Sequence, residues 1–162
     1  MKENIRKYRS SDKPSIIKLM EEFGDYLVAV DTMKRQRRAP EFGEYFTQKM
    51  IENDKKNDGI VYVAEQEGRI VGFIAGIMPK PSKEDLLECI PGKGGRIIEL
   101  FVSEQYRNQK VGTVLMEKME VYFRKAGCDV IKVEVFAPNI HAYQFYQRLG
   151  YQDRSFDLIK KL

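Results

Sequence analysis

The sequence is poor in the residues that build disulfide frameworks and metal centres. Its 162 residues include two cysteines and one histidine, and Cys89 and Cys128 lie far apart without a CxxC pair or a histidine cluster. Neither a disulfide scaffold nor a zinc site is indicated, so we expect passive cysteines and no bound metal. This cysteine usage fits a reduced, cytoplasmic compartment.

Long apolar stretches are missing as well. No uninterrupted apolar run approaches the roughly 20 residues that span a bilayer. The first residues, "MKENIRKYRSSDKP", lack the apolar core of a signal peptide. We therefore expect a soluble, unprocessed protein without membrane contact.

The charge balance is only mildly positive. Lys and Arg total 28 against 24 acidic residues, a formal charge of +4, which favours anionic ligands slightly and falls short of a nucleic-acid-binding composition. Four cations precede Pro40 and are interpreted as a solvated face, with an anion site as the alternative: Lys34, Arg35, Arg37 and Arg38. The length and the hydrophobic content of 43% predict one domain over residues 1–162.

The order of predicted elements indicates an α/β protein with a mixed sheet. After a strand and two helices, two β-rich runs from Ile60 to Gln66 and from Arg69 to Met78 predict an antiparallel hairpin. Beyond a long loop with a short helix, "RIIELFV", "VGTVLMEKMEVYFRKAG" and "VIKVEVF" predict a right-handed parallel crossover. A short helix capped by Asn139 and a closing strand in "YQDRSFDLIKK" complete the pattern.

A polar turn separates the strand and helix of this crossover. The first N–H groups of the helix, which opens at Gly112, point above the sheet with the positive end of the helix dipole behind them. Gly112 lacks a Cβ, and Arg107 and Lys110 add positive charge, so this turn is suited to hold a pyrophosphate. Because any strand–turn–helix has part of this geometry, a purely structural turn stays open.

Two motifs resemble the GNAT superfamily of acyl-CoA-dependent N-acetyltransferases. "LFV" followed by "RNQKVG" is similar to the family's R/Q-x-x-G-x-G/A motif after a strand, with Lys110 in place of the first glycine. "VEVFAPNIHAYQFYQRLGY" resembles the second signature of a strand, an Asn, an Ala, an aromatic pair ending in Tyr, and a Leu-Gly-aromatic close. The likeness extends over essentially the whole chain.

The resemblance implies a twisted, mostly antiparallel sheet of about six or seven strands with about four helices, splayed between strands 4 and 5. Acetyl-CoA is the implied cosubstrate, with its pantetheine arm along the backbone of the fourth strand, whose amides are the expected oxyanion donors. The residues expected to contact it are Leu100, Phe101, Val102, Arg107, Asn108, Gln109, Lys110, Val111, Gly112, Thr113, Asn139 and Tyr143.

Two residues are candidates for proton transfer. The resemblance implies that Tyr146 is the general acid, and an ordinary tyrosine at a helix–sheet interface is the alternative. Glu99 stands among apolar residues of a strand, where desolvation would raise its pKa toward that of a base. An acceptor contact, an exposed or salt-bridged strand glutamate, and a water chain in place of one base stay open. Alternation predicts one face with Ile97, Glu99 and Phe101 and the other with Ile98, Leu100 and Val102.

Three further residues of the second signature have two interpretations each. Asn139 is a helix cap, and in the family the matching residue also contacts the pantetheine arm. Tyr143, one turn before Tyr146, either borders the thiol or packs in the core. His141 is expected to face solvent in the first helical turn rather than to serve as a base.

The predicted function is N-acetylation of a primary amine by direct attack in a ternary complex, with a small-molecule acceptor favoured over a protein amine. The family implies acceptor contacts within residues 26–38, within residues 79–96 and with the last strands. A CoA-binding regulatory module without turnover is the alternative, and a nucleic-acid-binding domain on the basic run is a third. A homodimer paired through the C-terminal strand and a self-contained sheet edge guarded by Lys160 and Lys161 fit equally.

Overall fold

The computed structural model describes residues 4–90 and 92–161, with five strands and five α-helices. The strands are β1 (Asn4–Lys7), β2 (Ile60–Gln66), β3 (Arg69–Ile77), β4 (Gly94–Val102) and β5 (Val130–Val133). The helices are α1 (Lys13–Val30), α2 (Phe42–Lys56), α3 (Lys83–Glu88), α4 (Val111–Lys125) and α5 (Ile140–Arg148). None of the helices in these ranges is long and apolar enough to cross a bilayer.

The five strands form one mixed sheet in the order β1-β2-β3-β4-β5. Neighbouring strands are antiparallel except β4 and β5, which are parallel and connected by α4. The predicted mixed sheet, hairpin and crossover are therefore confirmed. Because β5 pairs only with Gly94–Ile97, β4 has an unpaired edge beyond Ile97. The predicted opening between strands 4 and 5 is thus present.

The predicted number of strands is wrong, because the described part of the chain contains five rather than six or seven. The segment "YQDRSFDLIKK" was expected to close the sheet, and it pairs with no strand. Its Phe156 and Leu158 side chains are 79% and 90% exposed. The alternating apolar residues contact no core face, and strand propensity without such packing does not form a strand. Helices number five rather than about four because the loop contains the short α3.

A separate hydrophobic core covers each face of the sheet. On one face, α1 and α2 pack against the central strands through Ile16, Leu19, Met20, Met50, Val63, Phe73 and Phe101. On the other face, α4 and α5 pack through Ile74, Ile97, Leu115, Met116, Met119, Phe123 and Tyr146. The fold therefore has three layers. The sheet, which includes β4, is the middle layer, and helices cover both of its faces.

A β-bulge interrupts β4 immediately before Glu99. Ala75 pairs with Glu99 whereas Gly76 pairs with Ile97, so Ile98 is an extra residue in β4. As a result Ile98 packs with the α1–α2 core, and Ile97 packs with the α4–α5 core. The predicted alternation is therefore wrong for these two residues, because a bulge shifts the side-chain period by one.

Gly76 lies at the bulge for a steric reason. A Cβ on Gly76 would come within 2.6 Å of Met119 Sδ and of Phe123 Cζ on α4. Only a glycine lets α4 pack this closely on the strand. The bulge and the close helix together set the position of Glu99 at the start of the unpaired edge.

Candidate active site

The edge of β4 beyond Ile97 presents backbone groups that pair with no neighbouring strand. Ser103 N–H donates to Val71 O at 3.0 Å, so Ser103 directs its backbone groups toward β3. Since neighbouring residues of an antiparallel strand point to opposite sides, Leu100 and Val102 direct theirs toward the opening. This edge is where the sequence predicts the pantetheine arm.

A row of amides without acceptors lies next to this edge. The six successive N–H groups of residues 108–113 donate to no acceptor in the described part of the chain. Asn108 and Lys110 have left-handed backbone conformations, with φ of 61° and 66°, and α4 begins directly after Lys110. Such consecutive amides at a helix N-terminus bind anions, and the helix dipole adds to their attraction.

Lys110 occupies the position of the motif's first glycine, and it keeps the left-handed backbone conformation that glycine favours. Replacing Lys110 by Gly should therefore stabilise the protein by about 0.5–1 kcal/mol, since relief of left-handed strain exceeds the entropy that glycine adds to the unfolded chain. Urea unfolding measures this difference. Asn108→Gly is the matched control, and its gain should be smaller because asparagine tolerates this conformation better. Equal or reversed effects would contradict the assignment of strain to Lys110.

Helix α5 forms the opposite wall of the opening. A Cβ built on Gly112 would lie 3.5 Å from Phe145 Cζ and 3.9 Å from Val102 Cγ2. Gly112 is therefore located where the end of β4, the start of α4 and the side of α5 meet. The amide row and the unpaired edge belong to one continuous opening.

Tyr146 is buried beside this opening, with 8% of its surface exposed. Its ring packs against Phe145 and Tyr151 at centroid distances of 5.3 and 5.6 Å. Burial and the charge of Glu99 both raise the pKa of Tyr146 above its usual value. The hydroxyl is thus protonated at neutral pH and is available as a proton donor.

Glu99 is a partly buried carboxyl group in the same region. Burial raises its pKa to about 7, and the nearby positive charge of Lys49 on α2 opposes this rise. At neutral pH the group is divided between its acidic and basic forms, which is the range that suits a general base. The predicted upward shift is therefore present at Glu99.

Asn139 links the start of α5 to helix α1. Its Oδ1 accepts hydrogen bonds from Ala142 N–H at 3.2 Å, which caps α5, and from the Tyr26 hydroxyl at 3.0 Å. The guanidinium of Arg107 lies 4.6 Å from the centroid of the Tyr26 ring, and Arg107 Nε donates to Val102 O at 3.0 Å. The predicted cap is confirmed, and the contacts of Asn139 and Arg107 with a cosubstrate stay predictions.

Tyr143 and His141 lie on the outer side of α5. The Tyr143 hydroxyl donates to Asp153 Oδ2 at 2.9 Å and accepts from Gln147 Nε2 at 2.8 Å. Tyr143 thus holds the C-terminal segment against α5 in this structure, a role for which the sequence offered no signal. His141 is exposed, as predicted for a first-turn residue. The described residues contain no cluster of three or more His, Cys, Asp or Glu that could hold a metal ion.

The model of the acetyltransferase (GNAT) family matches residues 18–151, which is most of the chain. The chain belongs to the GNAT family of acetyltransferases. An uncharacterized N-acetyltransferase of Methanocaldococcus jannaschii is 39% identical over 94 residues, covering 57% of this chain and 53% of that protein. The spermine/spermidine N(1)-acetyltransferase of Bacillus subtilis is 29% identical over 90 residues, covering 53% and 55%. The matches thus span about half the length of these curated relatives.

A solved structure extends the likeness over nearly the whole GNAT chain. The crystal structure of a mutant protein from Bacillus halodurans superposes with a TM-score of 0.82 at 20% identity, and covers 98% of this chain and 99% of that one. At this identity the superposition shows a shared fold. The family predicted from the two motifs is confirmed by the family model over residues 18–151.

Residues of α1 and α2 also border the candidate site. Glu22 and Lys49 were not singled out from the sequence, and Tyr26 was predicted only as part of the acceptor range 26–38. Glu22 and Tyr26 on α1 contact the loop after β4 and the start of α5, and Lys49 on α2 lies near Glu99. Glu22 and Tyr26 are four residues apart and flank the apolar position Phe23, so they share one side of α1. That spacing is a usable signal, but it does not identify the contact partners.

Proposed function

We propose that the protein is an acetyl-CoA-dependent N-acetyltransferase that acts on a primary amine by direct attack in a ternary complex. One observation carries this proposal: the unpaired edge of β4, the free amide row and the protonated Tyr146 meet at one opening. A purely structural turn has no need of six free amides. A binding module has no need of a buried proton donor.

The residues around the opening fit acetyl-CoA. The amides of residues 108–113 would hold the pyrophosphate, and Gly112 leaves room for it to approach the backbone. The N–H and C=O groups of Leu100 and the N–H group of Val102 would pair with the amides of the pantetheine arm, as an added strand does, while Val102 O stays bonded to Arg107 Nε. Together these contacts would bring the thioester beside Tyr146.

The side chains of the opening supply the proton transfers. Acetyl-CoA provides the acetyl group as a thioester. Glu99 takes the proton that the ammonium form of the acceptor must lose, and the nitrogen then bonds to the carbonyl carbon as the carbon–sulfur bond breaks. Backbone N–H groups of the β4 edge donate to the carbonyl oxygen as its negative charge grows. Tyr146 donates its proton to the departing sulfur. The nitrogen, positively charged once it bonds to carbon, loses its second proton as the amide forms, and this proton restores the Tyr146 hydroxyl directly or through solvent.

The two proton-transfer residues are electrostatically coupled. The negative charge of Glu99 is one of the causes that raise the pKa of Tyr146. When Glu99 accepts the proton of the amine, this charge is neutralised and the pKa of Tyr146 falls. Base action by Glu99 thus prepares Tyr146 to donate at the moment when the sulfur leaves.

A small-molecule amine is the proposed acceptor class, and polyamines are its first candidates because one relative is named for spermine and spermidine. The test is thiol release from acetyl-CoA with a panel of polyamines, aminoglycosides, amino sugars and peptides with free N-termini or lysines. Release with a small amine supports the proposal. Tight binding of acetyl-CoA without release from any panel member would favour the regulatory module instead.

Gly112→Ala should weaken acetyl-CoA binding about tenfold, or about 1.4 kcal/mol. The added methyl group has room in the free protein, since its closest contact is 3.5 Å. On a residue of the amide row, it would narrow the space that we propose for the pyrophosphate. Titration calorimetry measures the dissociation constant. Gly94→Ala, at the far end of β4 with a closest contact of 3.6 Å, is the matched control and should bind normally. Unchanged affinity in Gly112→Ala would place the pyrophosphate elsewhere.

A further inference from the structure

Helix α1 contacts both chain segments that border the opening. The Glu22 carboxylate accepts hydrogen bonds from Ser103 Oγ and from Glu104 N–H, each at 3.0 Å, where the chain leaves β4. One turn later on α1, Tyr26 reaches Asn139 at the start of α5. Neither contact is part of the proton transfers proposed above.

Tyr26 touches the two walls of the opening with different parts of its side chain. Its ring lies under the Arg107 guanidinium, which also lies 5.4 Å from the Phe101 ring and binds Val102 O on the β4 side. Its hydroxyl donates to Asn139 Oδ1 on the α5 side. The Tyr26 side chain therefore connects the β4 wall and the α5 wall of the opening, beyond the point where β4 and β5 stop pairing.

The hydrogen bonds of Asn139 define its orientation. Ala142 N–H can only donate, so the atom that it contacts must be the carboxamide oxygen, and the Tyr26 hydroxyl then donates to the same oxygen. Nδ2 consequently has both of its hydrogens free of partners within the described residues. Asn139 is only 8% exposed, but Nδ2 is not among the side-chain atoms that are both fully buried and unpaired, so it keeps some solvent-accessible surface.

We infer that Tyr26 is a positioning residue of the acyl-CoA opening. It fixes the Asn139 carboxamide so that Nδ2 donates to an amide carbonyl of the pantetheine arm, opposite the β4 edge, and it holds Arg107 at the end of that edge. Tyr26 acts through Asn139 and does not touch the reacting atoms. This inference rests on the proposed function and adds a residue from α1 to it.

The test is a double-mutant cycle read out by calorimetry with acetyl-CoA. Tyr26→Phe keeps the ring on Arg107 and removes only the hydroxyl, and it should raise the dissociation constant about tenfold, the usual worth of one such hydrogen bond. Asn139→Ser keeps a capping hydroxyl for α5 and removes the Nδ2 donor. In the Asn139→Ser background, Tyr26→Phe should then change the dissociation constant by less than about twofold, because the group that it positions is gone.

Tyr122→Phe is the matched control for loss of a tyrosine hydroxyl. Its hydroxyl donates to Asp58 O at 2.9 Å, away from the opening, so this variant should bind acetyl-CoA like the wild type. Kinetics should show the Tyr26→Phe defect mainly in KM for acetyl-CoA, with kcat within about threefold.

Three outcomes would overturn the inference. Tyr26→Phe binding like the wild type would show that the hydroxyl positions nothing. Equal losses in both backgrounds would show that Tyr26 does not act through Asn139. Wild-type protein that fails to bind acetyl-CoA would contradict the proposed function itself, and this inference with it.

Discussion

Tyr146→Phe is expected to lower kcat about 10²–10³-fold while the dissociation constant of acetyl-CoA changes less than about twofold. The hydroxyl is needed only when the sulfur leaves, so its loss affects the transition state and not the bound ground state. The aromatic packing with Phe145 and Tyr151 is retained in the variant. Steady-state kinetics and calorimetry on the same preparation give the two numbers.

A matched control separates the hydroxyl from the ring. Tyr122→Phe removes a hydroxyl on the far part of α4 and should leave kcat unchanged. If Tyr146→Phe kept wild-type kcat, another group would have to protonate the sulfur. If it weakened acetyl-CoA binding as much as it lowered kcat, Tyr146 would be a binding residue, and its role as acid would be lost.

Glu99→Gln is expected to abolish the rise of kcat/KM through pH 7 and to lower it about 100-fold at pH 8. Wild-type Glu99 is protonated below its pKa of about 7 and becomes a base above it. Glutamine cannot accept the proton at any pH, so the profile should be flat through this region. A profile that still rises through pH 7 would assign the base to another residue or to water.

The same substitution should stabilise the fold at alkaline pH. The pKa of Glu99 is about 7 in the folded protein against 4.5 for the free side chain. Because the folded state binds this proton more tightly, the contribution of Glu99 to stability is greatest below about pH 4.5 and is lost as the pH rises through about 7. Glu99→Gln should therefore be more stable by up to about 3 kcal/mol at pH 8, and by less than about 0.5 kcal/mol near pH 4.5.

Urea unfolding at the two pH values measures this difference. Glu117→Gln, on an exposed position of α4, is the control and should not change stability at either pH. A gain for Glu99→Gln that did not depend on pH would mean that the buried charge is not its source. The pH profile of kcat/KM and the unfolding measurements together test whether the buried Glu99 carboxylate serves as a base and at the same time lowers the stability of the fold.

The parts of the fold that depend on local pattern were predictable. The hairpin of β2 and β3, the amphipathic α4 and the cap of α5 by Asn139 each follow from spacing within a few residues. The bulge at Ile98 was not predictable, because it depends on Met119 and Phe123 packing against Gly76 from a distant helix. The predicted closing strand does not form, because an alternating sequence pattern does not by itself provide a partner strand.

The candidate site likewise contains residues that the sequence predicted and residues that it did not. The motifs named the turn before α4, Tyr146 and Asn139, and the alternation of β4 drew attention to Glu99. Contacts of Tyr26 and Glu22 join segments more than 80 residues apart in the chain, so no local pattern contains them. The left-handed conformation of Lys110 was also hidden, because a lysine does not normally indicate it.

Hydrogen exchange of the backbone amides with and without acetyl-CoA tests the central claim most directly, and it needs no knowledge of the acceptor. The amides of residues 108–113 have no acceptor within residues 4–90 and 92–161 and should exchange fast in the free protein. Acetyl-CoA should protect them, together with Leu100 and Val102 on the open edge of β4. Saturating acetyl-CoA that left these amides unprotected would contradict the site, and the acetyltransferase mechanism built on it.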